Sequence, residues 1–337
     1  MHTDILAIRL FFHNFASVMR LKHLSILNYK NIAEAELDFS PGLNCIIGCN
    51  GEGKTNLLDS IRFLSLCKSL GVTQDSLCIR HDEDFFMLKG LYEREDCTLE
   101  EIHCSLKRGQ KKIMRRQGKP YKRLAEHIGL IPVVLVSPSD GMLIAGGSEE
   151  RRHFMDVVIS QMNLPYLDAL TRYSKALQQR NALLKMDPPC DTEMLALWEE
   201  QMAKEGEFIY RCRQEYIDRF TPIFQRYYDL IAQEHEKVTL SYTSHCQRGP
   251  LLEVIQRDRH KDLAVGYSLH GTHRARFVFA DAPLFLVGIN DGINACRICI
   301  PEQRPVGKTA QGKVTVAEIA CGVHAAIGQH VGAVNGT

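Results

Sequence analysis

No apolar run in the 337 residues approaches the roughly 20 that a membrane-crossing helix needs. Charge of one sign is missing too: 41 Lys and Arg face 40 Asp and Glu, giving a formal net charge of +1 and a pI near 7.6. That balance removes any global pull toward nucleic acid and leaves the matter to local patches. A disordered chain is excluded, because hydrophobic residues make up 45% and charged residues only 24%. There is no internal repeat. The N-terminal stretch MHTDILAIRLFFHNFASVMR has no small-residue cleavage site after an apolar core, and Arg9 and His13 interrupt it. It therefore does not read as a signal peptide. With twelve Cys at irregular spacing, the expectation is a cytoplasmic protein with reduced thiols. The length accommodates roughly two domains and a well-buried core.

A regular pattern starts at Met19. RLKHLSILNYKNIAEAELDFSPGLNCIIG places apolar residues at strand spacing, turns at Pro41-Gly42 and ends in the short apolar run Leu43 to Ile47. A Gly-rich turn follows, then TNLLDSIRFLSLCKSL, where Leu57, Leu58, Ile61, Leu64 and Leu66 fall near helical spacing. Residues 76–136 predict further strands with charged hairpins, Val133 to Val136 forming a buried strand. From Glu149 the period changes. Leu167, Leu170, Tyr173 and Leu177 step by three or four, Asp187-Pro188-Pro189 breaks the chain, and Trp198, Met202, Ile209, Cys212, Tyr216, Phe220 and Ile223 resume the step. Two long amphipathic helices in a hairpin account for this spacing. Strand character returns at Lys237 to Tyr242.

The chemistry is carried by Gly48-Cys49-Asn50-Gly51-Glu52-Gly53-Lys54-Thr55, a G-x-x-x-x-G-K-T motif placed between an apolar strand and a helix. Glycines let the backbone wrap closely and aim N–H groups at phosphate oxygens. The helix N-terminus adds a favourable dipole. Lys54 is expected to reach the β- and γ-phosphates of ATP, and the Thr55 hydroxyl is placed for Mg²⁺. A second Gly307-Lys308-Thr309 is a decoy, since Glu302 stands where the first glycine belongs.

The stretch from Arg20 to Ser69 closely resembles the start of the RecF family of bacterial recombinational-repair ATPases, relatives of SMC and ABC-type heads. Four further segments resemble it in the same order: SLGVTQDSLCIRHDEDFFMLKG, VVLVSPSDGMLIAGGSEERRHFMD, LDALTRYSKALQQRNALLK and GYSLHGTHR. The resemblance spans residues 19–274. It implies an α/β fold, a P-loop ABC/SMC-type ATPase head with a helical second lobe. The implied organisation is an extension at 1–18, the ATPase lobe at 19–148, a helical hairpin lobe at 149–236 and a return to the ATPase lobe at 237–274. It further implies that Lys30 and Asn31 lie beside the nucleotide. By the same resemblance the protein binds single- and double-stranded DNA in an ATP-linked way and works with RecO and RecR. Its task would be to help load recombinase at gaps during replication, DNA repair and the SOS response, with an ATP-linked homodimer as the family's working form.

After Arg274 the resemblance stops. The family continues with acidic residues, a Ser-x-Gly-Gln signature and an apolar strand ending in two acids. Here Phe277-Val278-Phe279-Ala280-Asp281 imitates that strand, Ala282 follows, and the tail has no Ser-x-Gly-Gln. Only 9 of the 63 residues in 275–337 are charged, about 14% against 24% overall. Local and global signals disagree there, as in out-of-frame translation or a replaced terminus. Cys296-x-x-Cys299 and Cys321-x-x-His324 have zinc-like spacing, which chance explains in such a tail. The expectation is a chain that binds ATP better than it hydrolyses it. The alternatives are a P-loop kinase of a small metabolite and a non-functional truncated product.

Nine cations fall within seventeen residues without an acid between them: Lys107, Arg108, Lys111, Lys112, Arg115, Arg116, Lys119, Lys122 and Arg123. With Gln117-Gly118 as a hairpin tip, this reads as a DNA-phosphate ridge, made of Lys107 to Lys119 above all, against a solvated basic hairpin. Tyr121 alone is too little for base stacking. The Arg151-Arg152 pair near a helix start suits a partner anion or a surface pair offset by Glu149 and Glu150.

Overall fold

The computed structural model describes residues 19–186, 192–232, 238–280 and 315–318. The extension 1–18, the Asp187-Pro188-Pro189 break, Asp281, the decoy at 307–309 and both zinc-like pairs lie outside the described residues. The chain divides into two compact units, Met1–Leu135 with Gln303–Thr337, and Val136–Glu302.

Alternating burial builds the first unit's sheet. Strand β1 (Arg20–Tyr29) pairs antiparallel with β2 (Ile32–Asp38) and β4 (Phe85–Glu93), with a register shift between Leu21 and His23. β4 pairs with β5 (Leu99–Lys107), β5 with β6 (Ile113–Arg116) and β6 with β7 (Lys119–Pro120), giving the order β2-β1-β4-β5-β6-β7. One face, with Leu24, Ile26, Phe86, Leu88, Ile102, Cys104 and Leu106, is buried. Helix α1 (Lys54–Leu66) covers it with Leu57, Phe63 and Leu64. Tyr29, Phe63 and Phe86 meet edge to face, with centroids 5.3–6.0 Å apart. Such aromatic pairs add about 0.5–1.5 kcal/mol each beyond area burial.

Strand β3 (Asn44–Ile47) stands apart from that sheet and pairs antiparallel with β10 (Thr315–Glu318). Leu43 just before it and Ile47 at its end are 62% and 63% exposed. Val133 to Val136 do not form the buried strand their sequence suggests. Val134 and Val136 are 79% and 82% exposed while Val133 and Leu135 are half-buried, because this segment joins no strand ladder among the described residues and has no neighbour to cover its outer side.

The second unit is mainly helical. It contains α2 (Met142–Ala145), α3 (Ser148–Met162), α4 (Leu164–Leu184) and the long α5 (Thr192–Ala232). Asn163 caps α4 by accepting the Tyr166 N–H, with Pro165 in the first turn. The hairpin of α4 and α5 forms, but the buried face of α4 is Tyr166, Ala169, Tyr173, Ala176 and Arg180. Leu167, Leu170 and Leu177 sit at its margin, because small Ala169 and Ala176 let the helices approach. The fully buried Arg180 pairs with Glu199 (2.9 Å) and Asp262 (2.7 Å) and donates to Ser268.

Residues 237–274, which the resemblance returns to the ATPase lobe, fall within this second unit. Here β8 (Thr239–Thr243), α6 (Leu251–Arg257) and α7 (Arg259–Val265) gather beside α5, with Leu251, Val254 and Ile255 buried. Strand β9 (Arg276–Ala280) pairs antiparallel with β8, and Phe277 stacks on Tyr242 at 4.6 Å.

Candidate nucleotide-binding site

Strand β3 delivers the chain to the loop, and α1 carries it away. Gly51 (φ 89°) and Gly53 (φ 98°) take left-handed conformations that a side chain would oppose. A Cβ at position 53 would also lie 2.7 Å from Asn31 Oδ1. The Lys54 ammonium reaches back across the loop and donates to the carbonyls of Gly48 and Cys49, each at 2.7 Å. Glu52 Oε2 accepts the Cys49 N–H at 2.8 Å. Asn50 and Thr55 are exposed, Thr55 in the first turn of α1. No acid occupies that turn, so the helix dipole and the lysine favour an anion there.

The β1–β2 turn brings Lys30 and Asn31 to the loop. Asn31 Nδ2 donates to the Gly51 carbonyl at 2.8 Å, and its Oδ1 accepts from Asn56 Nδ2 at 2.8 Å. Lys30 Nζ lies 2.6 Å from Asp59 Oδ2 on α1. A cleft of about 1040 Å³ opens beside the turn, lined by Lys30, Asn31, Arg80, Asp82, Glu83 and Arg108 among others. Sequence reasoning missed Asn56 and Asp59. Their signal was Asp59 and Ser60 standing in line with Leu57 and Phe63 on the buried face of α1, where a carboxylate needs partners.

The basic ridge divides. Lys107, Arg108, Lys111, Arg115, Lys119, Lys122 and Arg123 are exposed. Arg108 additionally donates to the Glu83 carbonyl at 3.0 Å. Two cations of the predicted ridge are held by acids instead, Lys112 largely covered and Arg116 with 39% of its side chain still exposed. Lys112 binds Asp75 Oδ2 at 2.6 Å and the Cys67 carbonyl at the end of α1, 5.3 Å above the Phe63 ring. Arg116 makes two bonds to Glu100, at 2.8 and 2.6 Å, and Arg94 shares that carboxylate. Both offset partly buried acids, which is why they leave the ridge. Gln117 (φ 50°) and Gly118 (φ 74°) form the tip, both left-handed as a type I′ turn requires. Tyr121 bonds His127 Nδ1 at 3.0 Å and does not stand free for stacking.

Arg151 and Arg152 serve the fold, donating to the carbonyls of Leu143 (2.7 Å) and Ala275 (2.6 Å). In GYSLHGTHR, Gly271 allows Tyr173 close approach, since a Cβ there would lie 2.2 Å from the Tyr173 hydroxyl. That hydroxyl bonds His273, which burial holds neutral with a pKa of about 4. Among the described residues, no group of three or more His, Cys, Asp or Glu is arranged to hold a metal ion, and no helix is long and apolar enough to cross a membrane.

Residues 19–237 match the family described as AAA ATPase domain. The DNA replication and repair protein RecF of Bacteroides fragilis is 55% identical over 256 residues, which cover 76% of this chain and 69% of that protein. RecF of Porphyromonas gingivalis is 45% identical over 257 residues, or 76% and 70%. A solved structure of the recombination mediator protein RecF-ATP in the RecFOR pathway aligns with a TM-score of 0.73 and 28% identity, covering 79% of this chain and 74% of that one.

Proposed function

Because this chain belongs to the RecF family of DNA replication and repair proteins, we propose that it binds ATP at Gly48–Thr55 and DNA along the exposed cations of the β5–β7 hairpins. The α/β P-loop head and helical second unit accord with that family. The observation that carries the reading is the double engagement of the loop, with Lys54 reaching across it and Asn31 fastened to Gly51 and Asn56. Loop N–H groups and the start of α1 take the phosphates, Lys54 faces the β- and γ-phosphates, and Thr55 ligates Mg²⁺. Lys30 and Asn31 flank the nucleotide from the β1–β2 turn.

Lys107, Arg108, Lys111, Arg115 and Lys119 contact DNA phosphates, with little reading of bases. Lys112 and Arg116 take no part, since each is committed to an acid. RecO- and RecR-like proteins are the expected partners, and the place of action is the cytoplasm. A small-metabolite kinase is not favoured, since the relatives are DNA-repair proteins.

The chain grips ATP more than it turns it over. The strand that imitates the acid-bearing one pairs with β8, Ala282 occupies the second acid's place, and the Ser-x-Gly-Gln signature is missing from the tail. Stabilising the transferring phosphoryl group is where such enzymes gain rate. The test is paired. ATP binding and ATP hydrolysis are measured on the full chain with and without DNA. The reading expects saturable binding, turnover at background and no ATP-induced dimer on a sizing column. Robust DNA-stimulated turnover contradicts the second half, and absent ATP binding contradicts the first.

A further inference from the structure

The β1–β2 turn is held against its own conformational preference. Lys30 in the turn (φ 51°) is left-handed without being glycine, and so is Asn28 (φ 53°) near the end of β1, a region that Asn tolerates and Lys seldom takes. Two backbone bonds tie the turn to the 78–80 segment, from Lys30 N to the Cys78 carbonyl (2.8 Å) and from Arg80 N to the Asn28 carbonyl (2.9 Å). They fix the path of the chain but do not direct the Lys30 side chain.

That direction comes from Asp59. Its carboxylate side chain is 4% exposed. It accepts from the Tyr29 hydroxyl (2.7 Å), the Ser69 hydroxyl (2.6 Å), the Leu70 N–H (2.7 Å) and the Lys30 ammonium (2.6 Å). The Tyr29, Ser69 and Lys30 donors share Oδ2 and the Leu70 N–H takes Oδ1, so both carboxylate oxygens are bonded. Burial opposes ionisation of Asp59, but the bonds from Leu70, Lys30, Ser69 and Tyr29 outweigh it and hold the carboxyl below its usual range. The buried anion is therefore satisfied, and Lys30 is its one cationic partner among these donors.

Asp59 and Thr55 are one helical turn apart on α1, and Asn56 lies between them. The turn is thus fastened to this helix at two points, Lys30 to Asp59 and Asn31 to Asn56. Asn31 is also bonded to the loop through Gly51. We infer that Asp59 is a positioning residue for nucleotide binding, holding Lys30 and, through the shared turn, Asn31 in register with the phosphate loop. It touches no phosphate itself. The inference rests on the reading that ATP occupies Gly48–Thr55.

Removing the Asp59 charge has two opposed effects. It deletes an anion near the phosphates, which favours ATP. It also leaves Lys30, whose side chain is only 18% exposed, without its partner. An ammonium so enclosed and uncompensated moves to water and takes the strained turn with it. The second effect dominates, because the turn also carries the Asn31 contact to Gly51.

The test measures affinity of the full chain for a fluorescent ATP analogue with Mg²⁺, alongside thermal midpoints, for D59N, K30Q, the double variant K30Q/D59N and K54A. D59N is expected to bind at least fivefold more weakly. The double variant is expected to bind no more weakly than the weaker single one, since both act through one group. Its midpoint should rise above that of D59N, because no buried charge is left unpaired. A purely structural role would instead restore affinity together with the midpoint. Parental or tighter affinity in folded D59N, multiplied losses in the double variant, or affinity restored along with stability would each overturn the inference. If D59N does not fold, the double variant is compared with K30Q alone: equal affinity supports the inference, and a further fivefold loss overturns it. K54A separates the two levels. Parental affinity in K54A overturns ATP binding at the loop, whereas a loss in K54A with none in D59N overturns only the role of Asp59.

Discussion

In the phosphate loop the backbone carries the geometry, whereas in the basic hairpins the side chains decide what each residue does. Gly51 and Gly53 set the loop's path, and Lys54 has little choice but to cross it. In the hairpins the ladder places every cation at the surface of the first unit, yet the neighbouring acids sort them. Glu100 takes Arg116 and Asp75 takes Lys112, while Lys111, Arg115, Lys119 and Lys122 stay exposed. A motif with fixed backbone demands therefore transfers directly into a site. A run of like charge gives only an upper limit on the number of phosphates contacted.

The sharpest contrast is between the two classes of cation. Replacing Lys107, Lys111, Arg115 and Lys119 together with Ala should change the slope of log DNA affinity against log salt by roughly 2–4 units, at about 0.9 per duplex phosphate lost. Replacing Lys112 and Arg116 instead should change it by less than about one unit. Equal changes in the two variants would erase the distinction. Lys112→Ala should lower stability in urea by about 1–2 kcal/mol, since it removes a partly buried ion pair and a cation at the end of α1. An unchanged unfolding midpoint would return Lys112 to the ridge.

The tip offers a smaller effect. Gln117→Gly should stabilise the hairpin by about 0.5–1 kcal/mol, because a left-handed position favours glycine; destabilisation would count against the turn. His23 on β1 gives a pH signature. The hydrogen bond its imidazole donates to Asp38, seconded by the one to Glu36, raises its pKa above 6.5. A raised folded pKa contributes stability that is full below the unfolded value and lost as pH rises through the folded one. His23→Gln should therefore flatten the stability profile just above pH 6.5, and a profile identical to the parent's would remove this pair from the account.

The sequence already made the strand–loop–helix around Gly48–Thr55, the β-rich first unit and the helical hairpin legible, because each rests on local period or on glycine chemistry. Lys30 and Asn31 were legible only through resemblance, since nothing local says that a turn at 30–31 meets a loop at 51. Asp59 was not legible as a hub because its four donors come from Tyr29, Lys30, Ser69 and Leu70, which only the fold assembles. The Val133–Val136 reading failed for a similar reason. An apolar run becomes a buried strand only where a neighbouring strand pairs with it, and neighbours are set by tertiary structure.

The account turns on ATP being held at Gly48–Thr55, and equilibrium binding of ATP with Mg²⁺ to the parent and to Lys54→Ala tests this most directly. Removing a charge-assisted contact of about 1.5–3 kcal/mol should weaken binding at least tenfold, while the unfolding midpoint stays close to the parent's. Parental ATP affinity in folded Lys54→Ala would contradict the assignment of the loop, and with it the roles given to Lys30, Asn31 and Asp59.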